Sequence, residues 1–397
     1  MMRVVVSSIT RRRLSSSYNW TALIFELYFL LLLCSLFGSV QALSSPSGIP
    51  GSSSSSTSSL KGCVCLVTGS SRGIGKGIAI ELGYQGATVY ITGTSSSLQT
   101  SASTRPYAST PETGGPGTIE ETADAVTNAG GIGIPILCNH ANDDEVQAVM
   151  DKIRQNHGKL DILVNNAFRI PPGAPKSLYG KFWEHGTATW DTVHTVGLRS
   201  HFVATTFAMP LLQEAMKNPH PNMPRPFIAM ISSFGGLTYT FNVPYGVAKC
   251  AVDRLAKDMA IELENDICVT SFWPGVVTTE RTELTVASGD WQQYVGIPLD
   301  NAESPQFTGR AIVAVATDPN NAKKTGTTQV VAELAQEYGF CDIDGKTPPS
   351  IRSLKFLLPA YAMNEEQRKA IDPSWIPDWK LPFWIMSQGK PPSLKSN

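Results

Sequence analysis

Tyr245 and Lys249 stand four residues apart in the run FNVPYGVAK, downstream of two adjacent serines, Ser232 and Ser233. Residues four apart share one face of a helix, and Pro244 suits a helix's first turn. A phenol with a pKa of about 10 is a poor acid or base at neutral pH. An ammonium one turn along favours the phenolate and lowers that pKa. A serine at a strand end can hold a substrate oxygen beside the phenol. The chemistry this predicts is proton transfer to or from an oxygen. With 11 tyrosines in the chain, one Tyr-x-x-x-Lys spacing arises easily by chance, so its context decides.

That context is a series of strands and helices. Phe227–Ile231 is an apolar run that predicts a buried strand ending at the serines. Val64–Val67 predicts another, followed by Thr68-Gly69-Ser70-Ser71-Arg72-Gly73-Ile74-Gly75 and a helix over Lys76–Tyr84. Strand, glycine-rich turn and helix in that order are what a dinucleotide site requires. Gly69 permits the turn, Gly73 lets a pyrophosphate approach the helix N-terminus, and Gly75 lets the helix pack on the sheet. Further strands are expected at Ala87–Thr92, Gly133–Cys138, Leu160–Val164, Val269–Phe272 and Thr328–Val331. Helices are expected from near Thr118, over Asp143–His157, from near Trp190, over Ala251–Glu264 and over Phe307–Ala316. The alternation predicts an α/β, Rossmann-type, doubly wound parallel sheet. After Ala87–Thr92 stand Gly93, Thr94 and Ser95, with no carboxylate to take a ribose hydroxyl. Arg72 supplies positive charge nearby. This favours NADP(H) over NAD(H), without excluding the latter.

Composition narrows the field. The chain has 397 residues and a formal net charge of −1, so no basic excess points to nucleic acid. Its 7 cysteines are too scattered for a disulfide framework. Cys63 and Cys65 should share one strand face, with no Cys or His cluster beside them to suggest metal. His140, His185, His194 and His201 lack any metal-binding spacing.

The ends differ from the middle. Arg3 and Arg11–Arg13 precede the apolar run Leu27–Gly38, and small residues at Val40 and Ala42 fit cleavage after Ala42. Residues 1–42 therefore read as a signal peptide or signal anchor, which implies entry to the endomembrane system. Residues 43–60 are serine-rich and acid-free, a linker or a transit segment for bipartite plastid targeting. Residues 341–397 form an extension in which Trp375, Trp379 and Trp384 alternate with prolines and lysines. Such a tail suits a membrane surface; the other reading packs it over the substrate pocket or a partner copy in a homo-oligomer.

Thr68–Gly75, Asn165–Ala167, Ser233, Tyr245, Lys249 and Pro274-Gly275 together resemble the short-chain dehydrogenase/reductase family, across roughly residues 61–340. The resemblance implies a single catalytic domain there and an NAD(P)-dependent oxidoreductase acting on a small carbonyl or alcohol: a ketone, an aldehyde or a steroid-like compound. It implies Tyr245 as proton donor, Lys249 as holder of the nicotinamide ribose, and Ser233 as the group orienting substrate. Thr68, Gly69, Ser71, Arg72, Gly73, Ile74, Gly75, Thr94, Asn165, Ala167, Pro274, Gly275 and Thr279 would bind cofactor, with Tyr245 and Lys249. Ser232 also fits the spacing; the Ile-Ser-Ser order selects Ser233. Three positions depart from the family pattern. Phe168 replaces the glycine of Asn-Asn-Ala-Gly, Asn139 stands where an acid often contacts adenine, and Gly197 stands where an asparagine usually joins a water-borne proton relay. Phe168 and Gly197 support an alternative, a catalytically silent NADP(H)-binding sensor or scaffold. Glu280–Gln306, with little periodicity, is the expected substrate lid, with Trp291 and Tyr294 as candidate pocket residues.

Overall fold

The structure is a computed structural model that describes residues 59–98, 116–170, 179, 181–264 and 266–387. The targeting segment, the serine-rich stretch through Ser58, most of the Ser/Thr/Pro-rich insertion and the last ten residues lie outside the described residues.

Seven strands form one sheet: β1 (Val64–Val67), β2 (Thr88–Gly93), β3 (Ile132–Leu137), β4 (Ile162–Asn165), β5 (Phe227–Ile231), β6 (Cys268–Trp273) and β7 (Thr328–Val330). Every pairing is parallel, in the order β3-β2-β1-β4-β5-β6-β7. The order reverses between β1 and β4, and the crevice beyond the strand ends at that reversal is where such sheets bind ligands. The central strands are buried throughout, as parallel strands covered on both faces must be.

Helices alternate with the strands: α1 (Gly73–Tyr84), α2 (Ile119–Asn128), α3 (Asp143–His157), α4 (Gly186–His194), α5 (Ser200–Lys217), α6 (Val243–Glu262), α7 (Glu280–Ala287), α8 (Pro305–Thr317) and α9 (Val331–Tyr338). α1 and α8 cover one face of the sheet, burying Ile78, Leu82 and Ile312. α3, α5 and α6 cover the other, burying Val149, Leu211 and Val252. Cys63 and Cys65 share the first face, with sulfurs 3.6 Å apart and unlinked. Asp161, 2% exposed, ties the entrance of the sheet by accepting the Val64 N–H at 2.8 Å and pairing with Lys159 at 2.9 Å.

Residues 341–387 share a core with the sheet. Ile351, Phe356 and Leu357 pack with Trp273 of β6 and Val330 of β7, and Phe234 and Leu237 touch the same cluster. Arg352 anchors them: its Nε and Nη2 donate to Glu333 of α9 at 2.8 and 2.6 Å, and its Nη1 donates to the Leu381 carbonyl at 3.1 Å. The guanidinium also lies 4.1 Å from the Phe383 ring centroid. Trp375 and Trp384 remain exposed, at 79% and 69%, so the extension leaves these indoles outward.

Both partners of the Arg352–Glu333 fork are largely shielded, so truncating one strands the other. Arg352→Ala should cost about 2–4 kcal/mol and expose residues 341–387 to protease. Limited proteolysis with denaturant unfolding checks this, and an uncleaved variant of unchanged stability would contradict it.

Candidate active site

The turn after β1 is built for close approach. Gly69 and Gly73 have φ of +64° and +58°, where a side chain is strained. A Cβ on Gly69 would stand 2.7 Å from the Ala167 Cα, so Ala167, just past β4, walls the turn. Thr68 Oγ1 accepts the N–H groups of Asn166 and Ala167 at 2.9 and 3.0 Å. Asn166 Nδ2 donates to the carbonyls of Thr68 and Gly69, each at 2.9 Å. The Asn165 side chain is buried and donates to Thr205 Oγ1 at 2.9 Å. As the last residue of β4 it points into α5, and its neighbour Asn166 points at the turn. Gly75 packs against Asn166 and the turn itself more than against the sheet. Ser71 is buried, and Ile74 packs half-buried on the α1 face.

Positive charge gathers at this turn. Arg72 Nη2 donates to Ser95 Oγ at 2.6 Å and to the Gly117 carbonyl at 2.9 Å, which places the guanidinium at the end of β2 beside half-buried Thr94. The acids of the first turn of α2 are engaged: Glu120 accepts from Ser96 and from the Ser97 N–H, and Glu121 accepts the Thr118 N–H. Burial lowers the Arg72 pKa, against the pull of Glu280 and Glu121. Burial, and then Arg72, push Arg281 down to about 10. The Gly73 N–H, at the N-terminus of α1, donates to the Glu280 carboxylate at 2.8 Å. The turn thus takes an anion on a helix N-terminus between two arginines, and the residues present fit the phosphates of a dinucleotide.

Across the crevice, the chain from β6 supplies the opposite wall. The Gly275 N–H bonds to buried Glu303, whose pKa burial raises to about 8, and Glu303 pairs with Val277 to hold the loop after Pro274. Thr279 caps α7 by accepting the Thr282 N–H at 3.2 Å. Its Cγ2 would meet a Cβ on Gly73 at 3.6 Å, which brings Thr279 over the glycine turn.

The proton-transfer group forms where β5 ends and α6 begins. Asn242 caps α6 by accepting the Tyr245 N–H at 2.9 Å, with Pro244 in the first turn. The Ser233 hydroxyl acts on the Tyr245 phenol to lower its pKa, and Ser233 Oγ accepts the Gly235 N–H at 3.0 Å. Ser232 points the other way, donating to the Lys249 carbonyl at 3.0 Å. Geometry therefore joins Ser233, not Ser232, to the tyrosine. Lys249 is buried, and its Nζ donates to the Ile231 carbonyl at 3.0 Å.

The electrostatics reverse one expectation. Burial pushes Tyr245 up to about 12, against the pull of the Ser233 hydroxyl. Burial also brings Lys249 down to about 8, against the pull of Asp253. The ammonium lies 5.9 Å from the Tyr245 ring centroid and is itself desolvated, so the phenol stays neutral at neutral pH. Asp253 lies one further turn along α6. It accepts from Ser271 Oγ at 2.6 Å and from Trp273 Nε1 at 3.0 Å. The spacing 245, 249, 253 is the signal that could have found it. His140 and His201 are buried and hydrogen-bonded, and burial lowers them to about 4 and about 3, so both are neutral.

Aromatic rings surround the phenol. Phe241 and Phe168 meet Tyr245 edge-on at 4.8 and 5.8 Å. Tyr179 contacts Phe241 at 5.6 Å and stacks on Tyr294 at 5.5 Å. Tyr361, from the C-terminal extension, acts electrostatically on Tyr179. Tyr294 joins this wall, whereas Trp291 latches its own loop by donating to the Ile297 carbonyl at 2.8 Å.

Comparisons with known proteins agree with this geometry. The profile of the short chain dehydrogenase family matches residues 114–289. The chain is 34% identical over 336 residues to Dehydrogenase/reductase SDR family member 1 of Mus musculus, covering 83% of this chain and 97% of that protein. The Homo sapiens protein of that name matches at 34% over 335 residues, with the same coverage. Hydroxysteroid dehydrogenase-like protein 2 of Xenopus tropicalis is 26% identical over 288 residues, 72% of this chain and 61% of that protein. Among solved structures, a Xanthomonas campestris protein described as a dehydrogenase aligns with a TM-score of 0.57 and 25% identity, covering 72% of this chain and 94% of that one. A short-chain type dehydrogenase/reductase from Mycobacterium marinum aligns with a TM-score of 0.53 and 23% identity, covering 69% and 95%, which speaks to fold alone.

Glu280 already holds the Gly73 N–H, so an anion bound at that helix N-terminus would compete with it. Glu280→Gln should tighten binding of a nicotinamide dinucleotide roughly fivefold to tenfold, the size of a charge effect at a helix N-terminus. Calorimetric titration checks this; weaker binding would mean that Glu280 instead holds the turn in its binding shape.

Proposed function

Because the chain belongs to the short-chain dehydrogenase/reductase family, whose members act on CH–OH and C=O groups with a nicotinamide dinucleotide, we propose that it reduces an apolar carbonyl compound with NADPH. The observation that carries this is the neutral phenol of Tyr245, on which the Ser233 hydroxyl acts, one helical turn from a buried lysine. A dinucleotide held on the glycine turn supplies the hydride. The residues of the chain handle the oxygen. Ser233 orients the carbonyl oxygen toward Tyr245. As the carbonyl carbon gains its hydrogen, the C=O π pair moves onto oxygen, and the Tyr245 O–H bond breaks to protonate it. A phenol with a pKa of about 12 is a far stronger acid than an alcohol, so this transfer runs downhill. The Lys249 ammonium offsets the charge left on the phenolate. A phenol held neutral favours reduction, since oxidation would need the phenolate first.

NADPH is the proposed form because Arg72 reaches the end of β2, where a 2′-phosphate would lie, and no carboxylate follows that strand. The acids of α2 nearby are spent on Ser96, Ser97 and Thr118. The aromatic wall of Phe168, Tyr179, Phe241 and Tyr294 suits a flat apolar ketone or aldehyde. Nothing observed favours the silent-binder alternative.

Tyr245→Phe should lower the reduction rate by about 10²- to 10⁴-fold with dinucleotide affinity nearly unchanged, read by NADPH oxidation across a carbonyl panel. Undiminished turnover would exclude Tyr245 as the acid. The rate should also fall as pH rises through about 8, where Lys249 loses its proton. A rate level across that range would show that the ammonium is not required. Arg72→Ala should reduce the preference for NADPH over NADH by roughly tenfold, checked by comparing the two dissociation constants.

A further inference from the structure

Two departures from the family pattern meet at one point. A Cβ on Gly197 would stand 2.6 Å from Cδ2 and 2.8 Å from Cε2 of Phe168. No side chain fits at 197 while the Phe168 ring is in place. Gly197 lies in a wide π-type turn, Thr195–Arg199, between α4 and α5, and such turns recur at functional sites. The Phe168 ring lies 4.8 Å from the Lys249 Nζ and stands edge-on to Tyr245 at 90°. Lys249 has one hydrogen-bond acceptor recorded among the described residues, the Ile231 carbonyl. The other groups facing it are Asp253 on its own helix, neutral His201 on α5 and the Tyr245 ring. A buried ammonium with so few acceptors gains from an aromatic face.

We propose that Phe168 and Gly197 are a matched pair: Phe168 is a positioning residue whose ring face holds the Lys249 ammonium in place, and Gly197 is the space that ring needs. The ring closes the side from which a polar side chain at 197 would reach toward the lysine. The two departures are therefore one change. A glycine at 168 would leave Lys249 without its face, and any side chain at 197 would drive the ring out. The inference rests on Lys249 serving the proton step only for its effect on turnover; the contact itself is independent of the reaction.

Phe168→Leu keeps much of the volume and removes the π face, so it separates this role from simple packing. Without the face, the charged form of Lys249 loses support and its pKa falls. NMR of the labelled Lys249 ε-carbon in the dinucleotide-free protein should show its titration, near 8 in the parent, move down by roughly half a unit to one unit. Phe168→Tyr, which keeps the face, should leave it in place. The high-pH limb of carbonyl reduction should move with it in Phe168→Leu. Gly197→Ala should lower the reduction rate and the melting temperature in the parent, and have less than about half that effect in a Phe168→Ala background. An unmoved Lys249 titration in Phe168→Leu overturns the pairing with the lysine. Equal damage by Gly197→Ala in both backgrounds overturns the matched pair. A moved titration with no carbonyl reduced by any variant leaves the pair standing and counts against the proposed reaction instead.

Discussion

A buried ammonium governs the arrangement of this site. Lys249 is 6% exposed, and a cation taken out of water must be resolvated by the protein or lose its proton. The fold supplies the Ile231 carbonyl at the end of β5, the Asp253 carboxylate one helical turn away and the face of Phe168. Each comes from a different segment, so the register of α6 against β5 is set by one side chain. The same register sets Tyr245 one turn earlier, at the N-terminal cap where Asn242 fixes the first turn. Ser233 then meets the phenol because β5 ends where it does. The phenol, the Ser233 hydroxyl and the ammonium are thus brought together by the seating of α6 on β5.

A second demand lies across the crevice, and its sign is opposite. The N–H of Gly73 stands at the N-terminus of α1, close to Arg281, whose pKa Arg72 helps to lower. Such a site is unstable without an anion. Glu280 answers it from α7, the helix that follows Thr279. Thr279 and Glu280 are adjacent, so the segment that caps α7 is tied to the glycine turn by one bond.

How much of this could be read from the chain depends on how local its cause is. α3 was legible to the residue because its ends carry their own signals, an Asn142 cap and a left-handed Gly158. The Rossmann order, the glycine turn and the Tyr245–Lys249 face were legible because strand alternation and helical spacing act within a few residues. Which of Asn165 and Asn166 turns its side chain to the glycine turn was not, since that parity is fixed by the sheet. The acidity of Tyr245 was misread because spacing shows a neighbouring charge and conceals burial. Glu280 carried no signal at all: its partner lies 207 positions away in the chain.

The C-terminal extension shows the same limit at larger scale. Its prolines rule out a long helix, and its apolar residues come in runs too short to predict an element. Yet Ile351, Phe356 and Leu357 complete the core beside Trp273, whose indole N–H donates to Asp253. Asp253 in turn supports the charge on Lys249. The extension also sets Tyr361 edge-on to Phe356 at 6.4 Å in the same core. A segment that looks dispensable to a family core thus reaches Lys249 through its packing onto β6. Its composition reads as a tail because the contacts that order it are supplied by the sheet it covers.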